Sequence, residues 1–428
     1  MLTSSRSSSI AIALLASASC GGAARADSLA GAFDGNAYAS FANAKAGQIG
    51  ASVDRSAFVS CTCEGTGGKT VSKEVDAIKA GDSGNALRAR ETISTTFTQK
   101  TDSTAEVQNT ATINGLNALG GMITADNVKA SADVSATASA MTPSTSGSKF
   151  TNLKIAGQAI PDQVPPNTAV ALPGLGTATL NKIATQGGFH KNGQVEVEMM
   201  IIDVTARGNS LNIPAGSKIV IGHAVAAFTR DQPAYVFNGQ AYAVTANGAG
   251  GNDLQNHVGR AAPVSIDCEG TGGKTRTNSI NGLAVPGMMD SGDAITTAFA
   301  GPEGTAQVAR TTASVADLNL MDGMITAPSI QAVAQDSIQD GAETTSTDGS
   351  GFTGLTIAGV AVPLDTPPNT TLPLPGIGTV VVNEQSVQKR GNVSVNGLHI
   401  TVTSPNSLGM AVGTELIVAH VNASAKPF

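Results

Sequence analysis

Hydrophobic and polar residues alternate with a period of two along much of this chain. The clearest run puts an apolar side chain at every second position between residues 130 and 140. Successive side chains of a β-strand point to opposite faces, whereas a helix would scatter the same set around its circumference. The run therefore predicts a long strand with one small-residue face, formed by Ala130, Ala132, Val134, Ala136, Ala138 and Ala140.

A second alternating run begins at Val195 and Val197. From Met199 to Ile202 four apolar residues follow one another, which predicts that this strand is covered on both faces. Glycine and proline turns, such as Leu-Pro-Gly at 172–174, separate these and other short apolar runs. Many short strands with turns of this kind predict an all-β protein with sandwich-like domains.

The octapeptide Cys-Glu-Gly-Thr-Gly-Gly-Lys-Thr occurs twice, at 63–70 and at 268–275. Other motifs recur in the same order, which indicates a tandem duplication. We predict a first β-rich domain at 27–229 and a second at 236–428, joined by a short linker. The recurring motifs are Ala-Tyr-Ala (37–39 and 241–243), Gly-Met-Ile-Thr-Ala (121–125 and 323–327), Ile-Ala-Gly (155–157 and 357–359), Pro-Pro-Asn-Thr (165–168 and 367–370) and Leu-Pro-Gly-x-Gly-Thr (172–177 and 374–379).

The octapeptide is also similar to a phosphate-binding loop, since it ends in Gly-Lys-Thr. Cys63 stands where such a loop has its first glycine. A phosphate loop must lead into a helix, and the polar, glycine-interrupted residues 276–282 do not favour one. Asp203 follows four apolar residues as a magnesium-binding acid would, but the second copy has Thr401 there. We therefore predict a glycine-rich turn between strands.

Charge and composition narrow the possible partners and the compartment. The net charge is -7 and no Lys/Arg cluster is present, which excludes a nucleic-acid partner. A short apolar run at 9–19 and the small-x-small sequence Ala24-Arg25-Ala26 predict a secretory signal peptide at 1–26. Cys20 leaves a lipoprotein signal as the alternative. No later run reaches the ~20 apolar residues of a membrane span, so we expect a secreted or cell-envelope protein.

Three cysteines follow the predicted signal peptide, and export favours their oxidation. We favour a local bridge between Cys61 and Cys63, although residues two apart in a strand have Cα atoms about 6.6 Å apart, so the bridge would need a bulge. A bridge between Cys63 and Cys268 would instead tie the two copies together. Three cysteines without histidines at ligand spacing are too few for a structural zinc site, so we predict no metal and no other cofactor.

The five histidines divide into an equivalent pair and three singles. His223 and His420 hold the same position in the last strand of each copy, which is typical of packed, hydrogen-bonded strand residues. His190, His257 and His399 have no counterpart in the other copy. No set of nucleophile, histidine and acid occurs in both copies, so we expect no catalytic residues.

In each copy, the order of Ala-Tyr-Ala, Cys-x-Gly-Thr-Gly-Gly, Gly-Met-Ile-Thr-Ala, Ile-Ala-Gly, Pro-Pro-Asn-Thr and Leu-Pro-Gly-x-Gly-Thr resembles the choice-of-anchor P family of bacterial exported proteins. The resemblance implies an exported, often surface-displayed domain of undefined biochemical role, frequently followed by a C-terminal anchor. It implies no catalytic residues. We expect no anchor of that kind in the residues before Phe428.

These patterns lead us to expect a secreted or cell-surface structural or adhesive protein without enzymatic activity. Its polar strand faces would bind a cell-wall polymer, a glycan or another surface protein. Two alternatives remain open. One is a secreted hydrolase in which His190, Asp203 and His257 come together between the copies, and the other is a soluble protein that binds a ligand in a cleft between them.

Overall fold

A computed structural model describes residues 29–43, 55–76, 78–80, 86–185, 193–247, 260–285, 288–388 and 391–428 of the chain. The predicted signal peptide and Cys20 lie outside the described residues, and so do His190 and His257. Within the described ranges, no helix has the length and apolar character needed to cross a membrane.

The described residues form an all-β protein, which confirms the fold class predicted from the alternation. The strands of the first copy are β1 (Ala32–Asn43), β2 (Val59–Ser60), β3 (Thr70–Val75), β4 (Ile78–Ala80), β5 (Leu87–Ala89), β6 (Glu91–Lys100), β7 (Thr104–Ala118), β8 (Ile123–Thr137), β9 (Met141–Ser144), β10 (Lys149–Thr151), β11 (Lys154–Ile155), β12 (Gln158–Ala159), β13 (Thr168–Leu172), β14 (Gly176–Ala184), β15 (Gln194–Val204) and β16 (Lys218–Thr229). A 3-10 turn at Leu119–Gly121 connects β7 to β8.

The second copy repeats this series of strands. They are β17 (Tyr235–Asn247), β18 (Val264–Ile266), β19 (Arg276–Val285), β20 (Met289–Glu303), β21 (Ala306–Leu320), β22 (Ile325–Gln339), β23 (Ala342–Ser346), β24 (Gly351–Thr353), β25 (Thr356–Ile357), β26 (Val360–Ala361), β27 (Thr370–Leu374), β28 (Gly378–Val387), β29 (Val393–Val402) and β30 (Glu415–Pro427). β19 and β20 are continuous where the first copy has the shorter pairs β3/β4 and β5/β6.

Each copy consists of two antiparallel sheets that pack face to face. The smaller sheet has the strand order β13-β14-β15-β16-β1-β2 in the first copy and β27-β28-β29-β30-β17-β18 in the second. The larger sheet is built on the long central strands β7 and β8, or β21 and β22, which lie against β16 and β30 respectively. Apolar side chains from both sheets form a continuous core in each copy, as expected of a sandwich.

The small-residue face predicted for residues 130–140 lies on β8 but is shorter than predicted. β8 ends at Thr137, whose N–H donates a hydrogen bond to the Ala140 carbonyl and closes a turn toward β9. Ala138 and Ala140 are therefore exposed, and the prediction was wrong for them because the alternation in sequence continues through the turn. The buried members of the face are Ala130, Ala132, Val134 and Ala136.

β15 is covered on both faces at the predicted place. The four residues from Met199 to Ile202 are all buried. Val195 and Val197, which precede these four residues, belong to the core. Glu196 and Glu198 alternate with the two valines and therefore lie on the outer face, which points away from the larger sheet.

The repeated octapeptide forms a turn in both copies, which confirms the glycine-rich turn predicted for it. Residues 63–70 connect β2 to β3, and residues 268–275 connect β18 to β19. Both glycines of each Gly-Gly pair have φ between 64° and 78°, a conformation that favours glycine. Each turn leads into a strand, so it lacks the helix that a phosphate-binding loop requires.

Cys63 and Cys268 form a disulfide between the two copies, with their Cα atoms 5.6 Å apart. The local bridge that we favoured from the sequence was wrong. Cys61 packs in the core of the first sandwich, whereas Cys63 packs in a separate cluster with Ala32 and Val236. The two neighbouring cysteines thus belong to different packing environments, and Cys61 remains a buried free thiol.

The two copies also contact each other around this disulfide. Ala32 and Val236, which hold equivalent positions in the two copies, are both buried beside it. Lys426 of the second copy lies 2.6 Å from the Glu64 carboxylate of the first. The cluster therefore joins equivalent residues of the two copies.

Candidate functional site

A row of polar side chains crosses the outer face of the smaller sheet in the first copy. It runs from Lys182 on β14 through Glu198 on β15 and His223 on β16 to Tyr38 on β1, and each residue is the cross-strand partner of the next. Partners of this kind lie about 4.5–5.5 Å apart between Cβ atoms, so their side chains are within reach of each other. We call these four residues the polar row.

The second copy has an equivalent row on its smaller sheet. Glu384 on β28, Asn396 on β29, His420 on β30 and Tyr242 on β17 are cross-strand partners in the same order. The tyrosine and the histidine are thus common to both copies. The lysine and the glutamate of the first copy are replaced by Glu384 and Asn396.

The histidine of each row stacks on the tyrosine. The ring centroids of Tyr38 and His223 are 4.3 Å apart with 13° between the planes, and those of Tyr242 and His420 are 4.5 Å apart with 17°. Burial, with Arg55 as a further cause, lowers the pKa of His223 to about 3. Burial also lowers the pKa of His420 to about 4. Both imidazoles are therefore neutral at neutral pH.

The two histidines differ in their hydrogen bonding. His420 Nδ1 lies 2.6 Å from Asn396 Oδ1, so this residue is packed and hydrogen-bonded as the sequence predicted. His223 is packed as predicted and only 7% exposed, but its buried Nδ1 has no hydrogen-bond partner among the described residues. An unsatisfied buried nitrogen of this kind costs about 1–3 kcal/mol and calls for an explanation.

Two carboxylates approach His223 from β15. Glu196 Oε1 lies 3.7 Å from His223 Nδ1, and Glu198 Oε2 accepts a hydrogen bond of 2.8 Å from Lys182 Nζ. One ligand atom from each of Glu196, Glu198 and His223 can be chosen so that all three lie within 4.8 Å of one another. Burial and the neighbouring Glu198 raise the pKa of Glu196. The hydrogen bond to Glu198 raises the pKa of Lys182.

The other sequence-predicted residues lie apart from the polar row. Asp203 is exposed near the far end of β15, opposite Lys218. His190 and His257 lie outside the described residues, so the clustering of these two histidines with Asp203 stays a prediction. His399 Nδ1 is 2.9 Å from Glu384 Oε2. Cys61 is enclosed in the core, and burial raises the pKa of its thiol.

Sequence reasoning missed Lys182, Glu196 and Glu198. Polar residues that alternate with buried valines usually mark the solvent-facing side of a strand. The two glutamates were therefore not predicted to be site residues. Their proximity to His223 depends on the pairing of β15 with β16, which is not local in sequence. The available signal was that Tyr38 and His223 recur in the second copy as Tyr242 and His420.

Comparison with models of known protein families and with curated protein sequences finds no match to this chain. The resemblance to the choice-of-anchor P family therefore stays a prediction.

Proposed function

We propose that this chain is a secreted or cell-surface protein of the bacterial envelope with a structural or adhesive role and without enzymatic activity. The observation that carries the proposal is the disulfide between Cys63 and Cys268. Disulfides persist in oxidising compartments such as the periplasm and the cell exterior, and are rare in the cytosol. The bond thus agrees with the signal peptide predicted at 1–26.

The joining of the two copies supports a structural role. The disulfide, the apolar contact of Ala32 with Val236 and the ion pair between Lys426 and Glu64 hold two sandwiches in one arrangement. A covalent link of this kind keeps two similar surfaces at a fixed distance and orientation, which suits a protein that presents surfaces to a repetitive partner.

The outward face of the larger sheet supports a polar partner. Thr95 and Thr110 pair through their hydroxyl groups at 2.7 Å on β6 and β7, and Thr297 and Thr312 do the same on β20 and β21. Both pairs are partly exposed. Hydroxyl groups that both donate and accept hydrogen bonds suit a cell-wall polymer, a glycan or a polar surface of another protein.

Fractionation and binding measurements test this proposal. The native producer is separated into cytosolic, envelope and secreted fractions, and the purified protein is titrated against isolated cell wall, envelope polysaccharide and membrane vesicles. We expect the chain in the envelope or secreted fraction and saturable binding to at least one envelope component. Recovery in the cytosol with reduced cysteines would contradict the proposal. So would turnover of an envelope polymer that one point substitution abolishes, because that result supports the hydrolase.

A further inference from the structure

We propose that Glu196, Glu198 and His223 bind a divalent transition-metal ion such as Zn²⁺ on the outer face of the first copy's smaller sheet. The site goes beyond the structural role proposed above and does not depend on it. It would take two carboxylate oxygens and one imidazole nitrogen as ligands, a set that zinc accepts.

The positions of the ligand atoms fit such an ion. The three atoms lie within 4.8 Å of one another. Zinc binds nitrogen and oxygen at 2.0–2.2 Å, so the ligands of a tetrahedral site are about 3.4 Å apart. Glu196 Oε1 and His223 Nδ1 are already 3.7 Å apart, and the half-buried Glu196 side chain is free to adjust toward a shared ion. Three protein ligands leave the fourth position of the tetrahedron for water.

His223 supplies the second, independent observation. Its side chain is only 9% exposed, and Nδ1 points toward Glu196 without a hydrogen-bond partner among the described residues. A bond from a metal ion would satisfy this nitrogen. The stacking on Tyr38 holds the ring in place, so little side-chain entropy is lost on binding.

Lys182 competes with a metal ion for the Glu198 carboxylate. Its ammonium group neutralises Glu198, but the lysine side chain is 43% exposed and can move into solvent. Arg55 and Lys218 also act on His223 electrostatically and weaken the attraction for a cation. Removal of the Lys182 charge should therefore strengthen metal binding, whereas removal of a carboxylate should weaken it.

The second copy provides a natural negative control. Its equivalents of Glu196 and Glu198 are Ser394 and Asn396, and Asn396 already contacts His420 Nδ1. These side chains offer no carboxylate at those two positions. We therefore expect one metal ion per chain and no second ion at the equivalent row.

Zinc titration of the tag-free, disulfide-intact protein tests the site. Calorimetry and metal analysis after dialysis give the affinity and the number of ions, and ¹⁵N spectra of the histidine rings identify the ligating nitrogen. The variants are Glu196→Gln and Lys182→Met, with Glu106→Gln as a control that removes an exposed carboxylate from β7. Thermal unfolding without metal checks that each variant is folded.

We expect one Zn²⁺ per chain, a shift of His223 Nδ1 on binding, an affinity at least about tenfold lower in Glu196→Gln, and a higher affinity in Lys182→Met. Glu106→Gln should bind as the unaltered protein does. The proposal is overturned if the unaltered protein binds no Zn²⁺, if folded Glu196→Gln binds with unchanged affinity, or if the shifted ring is that of another histidine.

Discussion

Asp336 places a carboxyl group in the core of the second copy where the first copy has an apolar side chain. It holds in β22 the buried position that Val134 holds in β8, and its side chain is fully buried. The Ala425 N–H donates a 2.7 Å hydrogen bond to Oδ2, whereas Oδ1 has no partner among the described residues. Burial, with Glu343 nearby, raises the pKa of Asp336 to about 7. The fold therefore accommodates this carboxyl group best in its protonated form.

The raised pKa makes stability depend on pH in a defined direction. Between pH ~4 and ~7 the folded state keeps a proton on Asp336 that the unfolded state releases. The free energy of unfolding should therefore fall as the pH rises through this window, by about 2–4 kcal/mol from this group. Asp336→Asn cannot ionise and should lose this part of the decrease.

Urea unfolding of the whole protein at pH 4 to 8 measures the effect. We expect Asp336→Asn to be more stable than the unaltered protein at pH 8, and to show a smaller change across the series. Asp203→Asn, at an exposed site, is the matched control and should follow the unaltered protein. Equal pH dependence in the three proteins would show that Asp336 is not the titrating group.

At the scale of the strand, the Leu-Pro-Gly-x-Gly-Thr motif uses its two glycines differently. Gly174 has φ of 71°, and a side chain there would meet open space. Gly176, the first residue of β14, is not in the left-handed region, but a Cβ atom there would collide with the Asp203 carbonyl oxygen of β15. A Cβ atom at Gly378 would collide with the Thr401 carbonyl oxygen of β29 in the same way. The second glycine thus permits close strand contact, and the first permits the turn.

Alanine substitutions should separate these two roles. Gly174→Ala should cost about 1 kcal/mol of unfolding free energy, because only the left-handed backbone conformation is strained. Gly176→Ala should cost more, about 2–3 kcal/mol, because β14 must move away from β15. Chemical denaturation of both variants gives the comparison. A larger loss in Gly174→Ala than in Gly176→Ala would contradict this assignment.

The strands could be predicted where one face is apolar, and not where both faces are mixed. The alternation on β8 could be predicted because valine and alanine against serine and aspartate give a clear period of two. The doubly covered part of β15 could be predicted from its four consecutive apolar residues. β6 reverses the pattern. Its buried face is formed by hydroxyl side chains, while Ile93 and Phe97 lie on the partly exposed side. The buried set on β6 is Thr92, Ser94, Thr96 and Thr98.

The candidate site was less predictable than the strands, because it depends on register. Glu196 and Glu198 share a face through the period of two, but the sequence does not say that His223 is the partner of Glu198. That pairing joins residues of different strands, and a shift of one residue would move every side chain to the opposite face. Only the recurrence of the tyrosine and the histidine in both copies indicated the place.

At the scale of the whole molecule, the duplication was visible in the sequence and the joining of the copies was not. Cys63 and Cys268 hold the same position in the repeated octapeptide, so the disulfide joins equivalent residues of the two copies. From the sequence alone we favoured a local bridge between Cys61 and Cys63 instead. What decides between the two cysteines is that Cys61 faces the core of its own sandwich, while Cys63 faces Val236 of the other copy.

The central claim is that the protein occurs in an oxidising compartment as two sandwiches joined by this disulfide. Mass spectrometry of the protein from its native producer, alkylated without reduction and then digested, tests this claim most directly. We predict a cross-linked pair of peptides that contain Cys63 and Cys268, with Cys61 alkylated only when the protein is unfolded first. A bond that involves Cys61, or alkylation of both Cys63 and Cys268 without reductant, would contradict the account.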